Sequence, residues 1–282
     1  MEDQDTIIES VLHPTDFSEG SKVAFHHALK AALLSKSALT LLHVSPYGTS
    51  EWTDFPGVRE TLERWGVLAK DSPRSAVGEL GVDVRKVIAQ DTDPVEAVLR
   101  YLKKYPADLI VLATHQRDGR MRWLGKSVAE PVARKAWEMT LFIPGDSDGF
   151  IDDRDGSVHL RKILIPVARS PRPQPAIRAA ARLVEKFKCS EGTFVLLHVG
   201  DSGTMPTFRC PEVVGWEWTK ELVKGDVIQS IVNGAKDLEA DLIVMSTDGR
   251  NGFLDGLRGS HSERVLRRGA APLLTIPVGP PA

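Results

Sequence analysis

A chain that repeats itself must fold as copies of one unit, and this one does. The run Asp108-LIVLATHQRDGR returns as Asp241-LIVMSTDGRNG, an offset of 133, and Thr140-LFIPGD returns as Leu273-LTIPVG at the same offset. Upstream, Leu41-LHVSP returns as Leu196-LHVGD, and Val11-LHPTDFS as Leu164-IPVARS. The pairs keep their order, so the 282 residues divide into two domains of ordinary size. Between the copies, residues 145–158 (GDSDGFIDDRDGSV) are acidic and glycine-bearing and read as a connection. The expected boundaries are a first domain at 1–146, a linker at 147–158 and a second domain at 159–282.

Within the first copy the elements alternate as β-α-β-α-β-α-β-α-β. Residues 11–14 make a short first strand. Ser18 caps a helix that carries Val23, Ala24, Ala28, Ala31 and Ala32 on one face. Residues 38–44 form a second strand, apolar on both faces as central parallel strands are. The pattern over 58–80 is helical, and 82–88 alternates as a third strand. Asp93 followed by Pro94 opens a helix over 95–104. Residues 109–112 are strand four, 127–136 a helix and 141–143 strand five. The second copy is 22 residues shorter between strand two and the Asp-Leu-Ile-Val strand, which removes the counterpart of the 58–80 helix. Residues 201–215, with Pro206 and Pro211, stand there instead. Trp216 and Trp218, two apart, share one face of the third strand and cover the surface the lost helix would cover; the alternative is a base-stacking platform. The fold class is α/β: two tandem Rossmann-like domains, each an open five-stranded parallel sheet with helices on both faces.

In open α/β sheets ligands sit beyond the carboxyl ends of the strands where strand order reverses, here between strands one and four. The first copy places Pro14, Thr15 and Asp16 there, with Ala113, Thr114, His115 and Gln116. The second places Pro166, Val167 and Ala168, with Ser246, Thr247, Asp248 and Gly249. Gly249, Gly252, Gly256 and Gly259 follow, and Ser260 opens a helix. Glycine lets backbone amides approach a ligand, and a helix N-terminus adds free donors and partial positive charge, so this loop could cradle a phosphate. The same Ser260-His-Ser-Glu263 is also an S-x-x-E capping box that satisfies the helix with no ligand.

Strand one ending PTDFS, strand two ending LHV, and the loop closing on GS-x-x-E resemble the universal stress protein family in its tandem form, over nearly the whole chain. That family is built on the adenine nucleotide alpha hydrolase-like fold. Its nucleotide motif is glycine, two residues, glycine, nine residues, then glycine with serine or threonine. The second copy supplies Ser246, Gly249, Gly259 and Ser260 at those places, with serine for the first glycine. The resemblance implies that an adenine nucleotide, ATP or AMP, binds in the second domain. Its phosphates would meet Gly249, Gly259 and Ser260, and its nucleoside Val199, beside Pro166, Val167, Met245 and Ser246. In the first domain it points to Asp16, Val44 and Ser127.

Each copy departs from the pattern. The second has Ala168 where the family has an aspartate. The first keeps Asp16 and Val44 but carries Ala113, Gln116 and Lys126 at the glycine positions. Arg117, Arg120, Arg122 and Lys126, with Trp123 among them, could hold an anion there or simply face water. Ser127 could cap its helix alone through Ser127-Val-Ala-Glu130, and Asp16 could serve only the turn before Ser18.

No metal is expected. Adjacent His26 and His27 point to different faces of one helix, His43 and His198 share one position in the two copies and read as satisfied structural imidazoles, and Cys189 and Cys210 lack paired spacing. No catalytic motif is present, so the expectation is a non-enzyme, a stress-related sensor or regulatory module. The alternatives are an interaction protein with vestigial pockets or a slow ATP hydrolase. With 36 basic against 38 acidic side chains, neither nucleic acid nor an anionic membrane is an expected partner. No apolar run reaches the roughly 18 residues of a membrane span and the N-terminus has no signal pattern, so a cytoplasmic protein is expected. The two copies are expected to form an intramolecular pseudo-dimer through their fifth strands, with room for a further homodimer.

Overall fold

A computed structural model describes residues 8–48, 50–114, 128–247, 261–269 and 271–278. The first half runs β1 (Ser10–Thr15), α1 (Glu19–Ser35), β2 (Ala38–Val44), a single 3-10 turn (Trp52–Asp54), α2 (Val58–Arg64) and α3 (Ser75–Glu79). It continues with β3 (Val84–Ala89), α4 (Pro94–Lys104), β4 (Leu109–Thr114), α5 (Ala129–Ala136) and β5 (Met139–Pro144). The second half runs β6 (Lys162–Pro166), α6 (Gln174–Lys186), β7 (Gly192–Val199), β8 (Trp216–Val223), α7 (Val227–Asp237), β9 (Leu242–Thr247), α8 (His261–Arg268) and β10 (Leu273–Pro277).

The sequence dictates these elements locally. Ser18 caps α1 by accepting the Ser21 amide, and Lys36 ends it in the left-handed region at φ 51°. Asp93 caps α4 by accepting the amides of Val95 and Glu96. The repeated aspartates Asp108 and Asp241 have a structural task. Asp108 Oδ2 accepts the Glu9 and Ser10 amides, and Asp241 Oδ2 those of Arg161 and Lys162, so each ties the start of strand four to the start of strand one.

Each half is a parallel sheet, and the two join into one ten-stranded sheet of order β3-β2-β1-β4-β5-β10-β9-β6-β7-β8. The join is the expected pairing of fifth strands: β5 and β10 run antiparallel, with Leu141 opposite Leu274, its own repeat-mate. A pseudo-twofold axis therefore passes through that pair. Helices flank the join in the same symmetry. Glu130 on α5 takes two hydrogen bonds from Arg267 on α8, at 2.9 and 2.6 Å, while Arg134 and Glu263, their repeat-mates, approach to 3.9 Å. The buried core covers both sheet faces and both halves, α1 and α6 on one side and α4, α5, α7 and α8 on the other.

One expectation needs correction. The helix expected over 58–80 is broken: α2 ends at Arg64, Gly66 sits at φ +68°, and the chain re-enters helix only at Ser75, after Pro73. A left-handed glycine ends a helix, and the amides of Val67 and Leu68 turn back to the Leu62 carbonyl. The linker, read as a connection by composition, is packed. Phe150 and Ile151 are buried, Ile151 bridges to Val158, and the Phe150 amide donates to His27 Nε2 at 2.9 Å. The indole pair behaves as expected: Trp216 and Trp218 both pack on Phe194, with ring centroids at 4.5 and 4.0 Å.

Candidate functional site

The strand order reverses between β1 and β4 and again between β6 and β9. Each pair is in register only near its start, Val11 with Leu109 and Ile163 with Leu242, then separates toward the carboxyl edge. That divergence opens the crevice. In the first half its walls are Thr15 at the end of β1 with Asp16 after it, Val44 at the end of β2 and Thr114 at the end of β4. In the second they are Pro166 and Val167, Val199, and Met245 through Thr247.

In both halves the same hydrogen bond draws strands one and two together at this edge. His43 Nδ1 donates to the Thr15 carbonyl at 2.8 Å, and His198 Nδ1 to the Val167 carbonyl at 2.9 Å. These are the satisfied imidazoles that the repeat suggested. What lies above them differs. In the first half Phe17, at φ 63°, stacks flat on the His43 ring with centroids 4.0 Å apart, and Phe55 meets Phe17 edge-on at 5.2 Å. In the second half the residue at the place of Phe17 is Arg169. Its Nη2 donates to the Gly203 carbonyl at 3.0 Å, and Thr204 Oγ1 lies 3.0 Å from His198 Nε2. The loop at Asp201–Thr204 is itself fixed, because Asp201 Oδ1 accepts the amides of Gly203 and Thr204. Nothing in the motif reading pointed to Phe17 or Arg169. The signal that could have found them is the contrast between repeat-mates next to the strand-one aspartate position.

The other candidates divide by what their side chains touch. Asp16 is exposed, and its Oδ1 accepts the Ser18 amide at 3.0 Å and the Ser18 hydroxyl at 2.6 Å, so the turn role is present whatever else the carboxylate does. Val44 packs beside Leu12 and Leu42 toward α4. Met245 is buried with Leu197 and Ile228. Ser246 is buried, and its Oγ accepts the Ala176 amide at 3.3 Å, which satisfies an N-terminal donor of α6 where Pro173 offers no side-chain cap. Serine at the first motif position thus serves the neighbouring helix. Gly249, Gly259, Ser260 and Ser127, together with the basic run from Arg117 to Lys126, lie outside the described residues.

The universal stress protein family model matches residues 8–144 and 212–277, most of the chain and both halves. The chain belongs to the universal stress protein family. A curated universal stress protein of Methanocaldococcus jannaschii is 28% identical over 136 residues, covering 47% of this chain and 79% of that one. Among solved structures, a universal stress protein from Archaeoglobus fulgidus superposes with a TM-score of 0.61 at 18% identity, covering 98% of this chain and 100% of the other. A functionally unknown Pseudomonas aeruginosa protein gives 0.60 at 14% identity, covering 96% and 93%. Those last two likenesses establish the tandem α/β fold. Within this universal stress protein the two crevices carry unlike contacts, the Phe17–His43 stack in one and the Arg169–Gly203 hydrogen bond in the other.

Proposed function

We propose that the second half binds an adenine nucleotide, ATP or AMP, weakly, and that the protein acts as a non-catalytic sensor or regulatory module. The observation that carries this reading is where β9 ends. Thr247 closes the strand at the switch point beside β6, and α8 begins at His261. The 13 residues between them hold four glycines and end in Gly259-Ser260. A glycine-rich connection leading into a helix at that place suits a phosphate group. Ala168 withholds the carboxylate that would hold the nucleoside, and a hydrogen bond to a charged group is worth about 1.5–3 kcal/mol. The expected affinity is therefore roughly ten- to a hundredfold below that of a complete site. The first half, with Phe17 laid over the His43 end of β2, is read as structural.

Thermal unfolding with ATP, with AMP and without ligand tests this. Either nucleotide at saturating concentration should raise Tm, and Gly259→Asp should remove the rise by placing a carboxylate against the phosphates. A Tm that no nucleotide moves would leave an interaction protein with empty crevices as the better reading.

A further inference from the structure

The residues that follow strand one invert their charge between the halves. In repeat register Asp16, Phe17, Ser18, Glu19 and Gly20 correspond to Ala168, Arg169, Ser170, Pro171 and Arg172, so two carboxylates are lost and two guanidiniums gained. Arg169 and Arg172 are both exposed. Arg169 is held in place: its Nη2 donates to the Gly203 carbonyl at 3.0 Å, which carries the side chain from the end of β6 toward the connection that follows β7. A guanidinium has five N–H donors, and this bond uses one. Arg172 stands between Pro171 and Pro173, whose fixed φ restricts that stretch of the loop. Among the described residues it makes no hydrogen bond or ion pair. Asp201, in the same connection as Gly203, opposes the two arginines, but its Oδ1 already accepts the amides of Gly203 and Thr204.

β6 lies between β9 and β7 in the sheet. A nucleotide with its 5′-phosphates on the β9–α8 connection and its nucleoside at Val199, as read above, crosses the end of β6 and brings its ribose toward β7. Arg169 reaches in that same direction. In dinucleotide-binding folds a carboxylate at the ribose end holds a free hydroxyl, whereas an arginine there receives a ribose phosphate. The second half has lost the first kind of group and gained the second. A guanidinium fork also matches phosphate oxygens two at a time. Resting on the nucleotide reading, we infer that the preferred ligand of the second half is an adenine nucleotide phosphorylated on its ribose as well as at the 5′ position, with Arg169 and Arg172 holding the ribose phosphate. Asp16 and Glu19 give the first half the opposite sign at the same place.

Isothermal titration calorimetry of the full chain with AMP, adenosine 2′,5′-bisphosphate and adenosine 3′,5′-bisphosphate tests this. One of the bisphosphates should bind about tenfold more tightly than AMP. Arg169→Gln with Arg172→Gln, both at exposed positions outside the core, should remove that preference. AMP and both bisphosphates binding equally would overturn the inference and leave the nucleotide reading standing. No heat from any of the three, in the parent as in Gly259→Asp, would end both. If the arginine variants weakened AMP as much as the bisphosphate, the arginines would be holding the 5′-phosphate, and the inference would fail on that result as well.

Discussion

At equivalent positions after strand one, the first half carries Phe17 and the second Arg169. Phe17 closes its crevice by stacking on His43; Arg169 straps its own by reaching the Gly203 carbonyl. The difference extends outward. The first half has α2 to cover α1, and Leu62 of α2, with Trp65 just after it, belongs to the main core. The second half lost that helix and replaced it with two indoles of β8 lying on Phe194. One scaffold has thus been closed once by an aromatic stack and a helix, and once by a hydrogen-bonded loop and a pair of tryptophans. The first contact is a pair of stacked rings, the second a single hydrogen bond.

The largest expected contrast between the halves is in acid. Burial pushes His13, His26 and His27, all in the first half, from 6.5 down to about 4. Between those values the unfolded chain binds protons that the native state does not, so stability is full above about pH 6.5 and falls as pH drops toward 4. From pH 7 to 5 each histidine should remove on the order of 1–2 kcal/mol, about 3–6 kcal/mol together. Protonated His27 can no longer accept the Phe150 amide, so the linker should loosen first. Hydrogen exchange at pH 5 should show α1 and the linker losing protection ahead of β6 and β7. Equal loss in both halves would refute the assignment.

Next comes Trp216→Ala. The ring is 6% exposed, and removing a buried aromatic costs about 3–5 kcal/mol. Urea unfolding should show a loss of that size, with the exchange of β7 and β8 affected most. If Trp216 were instead a platform for a base, the variant would unfold like the parent.

How much of this was legible in the sequence follows from the kind of interaction. Order-preserving repeats gave the two units, and the strand order follows once each unit is an alternating α/β chain. The fifth-strand junction was readable by analogy and found with Leu141 opposite Leu274. The break in the 58–80 helix was signalled by Gly66 and Pro73, but the apolar spacing across them masked it. The packed linker was missed because acidic and glycine content outweighed Phe150 and Ile151, the residues that decide its fate. At the site, strand-end residues could be placed by topology. Contacts between loops could not, since nothing local in Arg169 or Gly203 says that they meet across 34 residues. Ser246 shows the same limit: its exchange for glycine looks like motif decay until the Ala176 amide is seen against it.

The smallest effect concerns what joins the halves. Glu130 is 15% exposed and receives Arg267 through two parallel bonds, while Arg134 and Glu263 stand 3.9 Å apart, so one design is realised once tightly and once loosely. Paired exposed charges contribute about 0.2–1 kcal/mol, and the two-bond geometry puts Glu130–Arg267 toward the upper end. A double-mutant cycle with Glu130→Gln and Arg267→Gln should give a coupling of about 0.5–1 kcal/mol in urea unfolding, and the cycle on Arg134 and Glu263 less than half of that. High salt should shrink the first toward the second, because both sites are open to ions. Equal couplings would mean that the helices flanking the join relax to true twofold symmetry in solution, and that the halves differ at their crevices but not where they meet.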